Sequence, residues 1–122
     1  MPTEELYLQD IVKSIDSVGR FLNGVEEAKF LTDEILQNAV LMKLVIIGEA
    51  AARLSNEIRE RYSKVEWKSI IGFRNISVHA YFSVKWSIVW ETATNDLEIL
   101  REAVVKILET EFPDFELRDD TQ

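Results

Sequence analysis

Between Val40 and Ala52 the chain reads VLMKLVIIGEAAA, apolar nearly all the way round a helix. A helix of that kind is buried on more than one side, so it must sit at the centre of whatever fold forms around it. Thr32, Asp33 and Glu34 supply a start signal, and Ile35, Leu36, Ala39, Val40, Lys43, Leu44, Ile47, Ala51, Leu54 and Ile58 continue at helical spacing. The pattern predicts one long helix over about 33–60. Gly48 with Ala50, Ala51 and Ala52 lets another backbone approach closely, and a second copy of the chain is the expected neighbour.

The remaining periodic segments are helical too. Thr3 reads as an N-cap with Glu4 and Glu5 in the first turn, and Leu6, Leu8, Ile11, Val12, Ile15, Val18 and Phe21 mark a helix over about 4–22. A third is expected from near Glu66 through Trp67, Ile70, Ile71 and Val78. A fourth is expected from Trp86 to Glu109 through Val89, Trp90, Ala93, Leu97, Leu100, Val104 and Ile107. Four glycines and two prolines leave few of the breakers that many-turned β folds need. The predicted architecture is an all-α bundle of four to five helices, a single domain over 1–112 followed by an acidic, frayed tail over 113–122.

With no cysteine and one histidine in 122 residues, neither a disulfide framework nor a metal site is expected, and no cofactor is called for. No stretch reaches the eighteen uncharged apolar residues of a membrane span, and the N-terminus lacks the pattern of a secretion signal, so a cytoplasmic protein is expected. The net charge of −8 speaks against general polyanion binding, but the distribution is uneven. Residues 53–85 hold seven bases and three acids between two strongly acidic flanks. Arg53, Lys68 and Lys85 in this third are candidates for contact with RNA, against the plainer reading of ordinary solvated charges.

The only histidine falls in that basic third, within GFRNISVHAYF at residues 72–82. Five residues along a helix carry His79 about 140° round the axis from Arg74, whereas Tyr81 nearly eclipses Arg74. One straight helix cannot aim all three together. Either the motif bends near His79 to Tyr81, or two copies meet across a two-fold axis and line one cleft. Such a cleft could cleave RNA without metal. A neutral imidazole would take the proton of a 2′-hydroxyl, and a guanidinium would stabilise the charge growing on phosphate. Read singly, each residue has a plainer role: a structural histidine, a solvated Asn75, a Tyr81 packed at the bundle rim.

The segment WKSIIGFRNISVHAYFSVKWSIVW resembles the R-x-x-x-x-H-x-Y signature of the HEPN superfamily, specifically its HepT-like ribonuclease toxins. LVIIGEAAARLS resembles the family's I-G-E-A stretch, and LQDIVKSIDSV its first helix. The resemblance implies a HEPN-type helical homodimer with two motifs at the interface, acting as an RNA-cleaving toxin. It implies Arg74 and His79 as catalytic residues and Asn75 as the polar residue accompanying the arginine. It also implies a nucleotidyltransferase antitoxin of the MNT type that adenylylates Tyr81. A non-catalytic HEPN module that binds a nucleotidyltransferase or a nucleotide is the alternative. Glu49, within the I-G-E-A stretch, is either a buried partner for Arg74 or an ordinary salt-bridged acid. Where related sequences carry an aspartate after the motif this chain has Lys85, and Ser83 is expected to cap the last helix instead.

Overall fold

The computed structural model describes residues 3–76 and 78–116, the side chains of Thr3, Val78 and His79 excepted. Three long rods make the domain. The first, α1 (Thr3–Phe21), inserts Leu8, Ile11, Val12, Ile15 and Val18 into the core, the apolar stripe its periodicity predicts. It packs against α3 (Glu34–Arg53) on one side and α8 (Leu97–Glu111) on the other. Between α1 and α3 a four-residue helix, α2 (Glu27–Phe30), escaped the periodicity reading because one turn carries no period. Its Phe30 is fully buried, and the Phe30 carbonyl accepts a hydrogen bond from Gln37 Nε2 at 3.0 Å.

Asp33 caps α3 as expected, its side chain accepting from the Leu36 amide at 3.0 Å, and this contact holds its carboxyl below the usual range. The helix does not run on to residue 60. Leu54 is extended (φ −66°, ψ 148°), and α4 (Asn56–Arg61) begins anew with Ser55 as its N-cap. The Ser55 Oγ accepts from the Ile58 amide and donates to Glu4 Oε2, while the Ser55 amide donates to Glu4 Oε1, both contacts to Glu4 at 2.7 Å. A carboxylate of the first helix therefore stabilises the break. Leu54 and Ile58 stay buried on either side of it, which is why the apolar pattern reads through.

The expected third helix is also divided. α5 (Trp67–Gly72) tightens into a 3-10 turn over Phe73–Asn75, the chain extends at Ile76 (φ −71°, ψ 111°), and α6 (Val78–Tyr81) follows. The last rod runs from α7 (Trp86–Glu91) through a π-helical turn at Thr92–Asp96 into α8. Eight residues separate the buried Val89 and Leu97, an overshoot of about 80° on a regular helix. The wider turn absorbs that excess and keeps both on the core side. Phe112 and Phe115 pack against the core beyond α8, and the rest of the expected tail, 117–122, lies outside the described residues.

By length and composition α3 could cross a bilayer. Its apolarity is used here in the core, where Val40, Leu41, Leu44, Ile47 and Ala51 are buried by the other helices. The Gly48 to Ala51 patch is likewise covered within the chain, Gly48 by the segment that carries Arg74. At Gly48 the neighbour expected to be a second copy is the protein's own chain, at Ile70, Phe73 and Arg74.

Candidate active site

The motif lies along α3. Its leading end is seated where a Cβ on Gly48 would come within 2.6 Å of the Arg74 amide nitrogen and 2.9 Å of the Ile70 carbonyl oxygen. Its trailing end is fixed by the Tyr81 hydroxyl, which donates to Asn38 Oδ1 at 2.8 Å. Asn38 and Gly48 are ten residues apart, so the two attachments are separated by about 15 Å along the helix axis. The motif runs antiparallel to α3 between them. The bend it requires comes at Ile76, before His79 rather than at it. His79 lies on the α6 backbone, and its side chain is outside the described residues.

Arg74 and Asn75 project from the 3-10 turn as exposed residues, and among the described residues neither side chain has a hydrogen-bond or ion-pair partner. An unpaired guanidinium keeps its five donors for an incoming phosphate. Glu49 does not supply it with a counter-charge. That carboxylate is half exposed and lies 3.8 Å from Arg53 Nε one helical turn on, which makes it the salt-bridged acid of the two alternatives. Such an exposed pair contributes little to stability.

Tyr81 is positioned by aromatic neighbours. Its ring meets Trp86 edge-on at 5.8 Å and Phe82 at 5.7 Å. Trp86 and Trp90 pack in turn on buried Phe30, at 6.3 and 5.5 Å. This row ties α6 and α7 to α2 and to the core, so the phenol has a fixed address although it is only half buried. Phe82 itself is 84% exposed.

The three candidates for RNA contact are dispersed. Arg53 is shared between Glu49 and the face of the Tyr7 ring, 6.0 Å away. Lys68 is exposed on α5, beside a groove that also holds Arg59, Glu60 and Glu66. Lys85 occupies the N-cap position of α7 without any side-chain cap bond, and the cap expected of Ser83 is not made. Elsewhere in the basic third, Arg61 is tied to Glu57 and Glu111. Among the described residues no three His, Cys, Asp or Glu side chains converge to hold an ion.

Two parts of the site were not foreseen. Asn38 reaches Tyr81 across 43 positions of sequence, and nothing local to either residue signals the pair. Gly48 was marked for a close backbone approach, but its partner is the backbone of Arg74 itself.

Comparison with known proteins bears on the same residues. The family described as "Ribonuclease HepT-like" matches residues 11–107, which include the whole motif and α3. A protein named "Putative RNase" from Caldanaerobacter subterraneus subsp. tengcongensis is 37% identical over 91% of this chain and 99% of its own. A second so named, from Methanocaldococcus jannaschii, is 32% identical over 80% of this chain and 90% of its own. "Probable ribonuclease HepT" of Thermococcus cleftensis is 31% identical over 83% and 92%. No solved structure matches the chain. With an all-helical fold among the described residues, an exposed arginine in the R-x-x-x-x-H-x-Y motif and a match over most of its length, the chain belongs to the HepT-like ribonuclease family.

Proposed function

We propose that the protein is the toxin of a toxin–antitoxin pair, a cytoplasmic homodimer that cleaves RNA without metal at a cleft lined by two copies of the motif. In this reading His79 removes the 2′-hydroxyl proton, and the freed oxygen attacks the adjacent phosphorus. The bond to the 5′ oxygen breaks and that oxygen leaves with a proton returned by an imidazolium. The products are a 2′,3′-cyclic phosphate and a 5′-hydroxyl. Arg74, accompanied by Asn75, stabilises the charge on the phosphoryl oxygens during the attack. A nucleotidyltransferase antitoxin of the MNT type adenylylates Tyr81. The phenol gives up its proton to a base of that enzyme, its oxygen attacks the α-phosphorus of ATP, pyrophosphate leaves, and the bulky anion then competes with RNA for Arg74.

The observation that supports this reading best is the Arg74 side chain, exposed and unpaired among the described residues on a backbone held against α3. A structural arginine would be expected to be satisfied by an acid of its own chain, as Arg101 is by Asp16 at 2.7 Å. The test is cleavage of a mixed-sequence single-stranded RNA by purified variants. His79→Ala and Arg74→Ala should each lower the rate by roughly a hundredfold or more while leaving the helical circular-dichroism spectrum intact. Wild-type cleavage should persist in EDTA and leave cyclic phosphate ends. Activity lost in EDTA and restored by magnesium would overturn the mechanism.

A further inference from the structure

We propose that Gly48 is a positioning residue for RNA cleavage: its missing side chain sets how closely the Arg74 backbone approaches α3, and so where the guanidinium stands. The inference rests on the assignment of Arg74 to catalysis made above.

Gly48 is buried in the middle of α3, a position where glycine costs about 1 kcal/mol relative to alanine. Conformational freedom is not the reason for it, because positive φ among the described residues occurs at Gly24 alone. Space is the reason. A Cβ at Gly48 would lie 2.6 Å from the Arg74 nitrogen, 2.9 Å from the Ile70 carbonyl oxygen and 3.2 Å from the Phe73 Cβ. The two shortest contacts are to backbone, so no rotamer change relieves them. The Arg74 nitrogen would have to retreat by about 0.8 Å to reach ordinary van der Waals distance.

That retreat falls on the functional segment. α5 gives way to the 3-10 turn at Phe73, and the turn holds both Arg74 and Asn75 before the chain extends at Ile76. Among the described residues neither Arg74 nor Asn75 has a side-chain partner to hold it in place, so the backbone beneath is what positions them there. The remaining glycines make the contrast: a Cβ on Gly19 or on Gly72, the latter two residues before Arg74 with helical backbone, meets nothing within 4 Å. A displacement approaching 1 Å at a catalytic group can cost about a hundredfold in rate. Arg74 retains side-chain freedom to recover part of it.

The experiment compares Gly48→Ala, Gly72→Ala, Arg74→Ala and the Gly48→Ala/Arg74→Ala double variant. All are built on Gly19→Ala, whose added methyl group stiffens α1 and offers a margin of stability. The readout is kcat and KM on a mixed-sequence fluorogenic single-stranded RNA, with circular dichroism and thermal melting on each variant. Gly48→Ala should lower kcat by roughly 10- to 100-fold and change KM much less. Gly72→Ala should cleave as the parent does. The double variant should be no slower than Arg74→Ala, because Gly48 acts through Arg74. A folded Gly48→Ala protein with parental kcat overturns the inference, as does a double variant whose losses add. Failure of Gly48→Ala to fold even on the Gly19→Ala background would also overturn it, leaving Gly48 a requirement of the fold only. If Arg74→Ala itself cleaves normally, the catalytic reading of Arg74 falls, a result distinct from each of these.

Discussion

Tyr81 shows how far a single side chain could be read before its surroundings were known. The motif placed a phenol two residues past His79, and the family resemblance made it the site of adenylylation. The acceptor on Asn38 and the edge-on rings of Phe82 and Trp86 come from the fold. The bond to Asn38 Oδ1 places the phenol oxygen beside α3, so the proposed adenylylating partner would have to reach the α3 face beside Asn38. Co-expression with an MNT-type nucleotidyltransferase should add AMP-sized mass increments to the peptide containing Tyr81, measured by intact-mass and peptide analysis. Tyr81→Phe should lose the increments and resist neutralisation. An inhibited complex with unmodified Tyr81 would mean that the partner blocks the cleft by binding. Arg74, His79 and Tyr81 could be picked out as candidates because they share eleven residues of sequence. Asn38 could not, because a contact across 43 positions leaves no local pattern.

At the scale of elements, apolar periodicity located α1, α3 and the α7–α8 rod but not their interruptions. Buried side chains continue across the break at Leu54 and across the π turn, so the pattern that reports burial does not register a change of backbone. The break after Leu54 is fixed by a polar contact from a distant segment, that of Glu4 to Ser55. The end of α4 is held similarly: Tyr62 donates its hydroxyl to Glu111 Oε2 at 2.6 Å, and Arg61 pairs with the other carboxylate oxygen. The Tyr62 hydrogen bond first, and Arg61 second, hold the Glu111 carboxyl below its ordinary value. The same bond raises the Tyr62 phenol. A lowered carboxyl stabilises the fold above the ordinary carboxylate pKa, and its contribution is lost as pH falls through the lowered value. A raised phenol contributes below its ordinary pKa and loses that contribution as pH rises through the raised one. The cluster is therefore fully stabilising between about pH 5 and 9. Glu111→Gln should cost roughly 1 kcal/mol at pH 7, a fall of about 4 °C in Tm by circular dichroism. The difference from wild type should narrow as pH falls below the ordinary carboxylate range, and a gap that stays equally wide down to acid unfolding would show that the carboxylate charge is not what matters.

At the scale of the whole molecule, the question is what covers the outer stripe of α3. Gly48 is already covered by α5 and the 3-10 turn that follows it, so the proposed second copy would use other side chains than those the sequence suggested. Ile35 and Met42 are 82% and 60% exposed and share a face of α3 with Asn38, beside Tyr81 and the 84% exposed Phe82. Large apolar groups left in water next to the motif are what a self-association face requires. In the proposed homodimer each copy would contribute one Arg74 and one His79, so a cleft with two of each would exist only in the pair. Two chains of net charge −8 repel one another, and that repulsion is screened by salt. Dimerisation should thus strengthen as salt rises, while RNA binding, which depends on phosphate contacts, weakens. Met42→Glu puts a like charge at the centre of the proposed interface on both copies. Multi-angle light scattering at micromolar concentration should give the mass of two chains for wild type and of one for Met42→Glu. The variant should keep its helical spectrum and lose at least tenfold in RNA cleavage. A monomeric wild type that cleaves RNA would remove the need for the pair, and a Met42→Glu protein that stays dimeric would place the interface elsewhere.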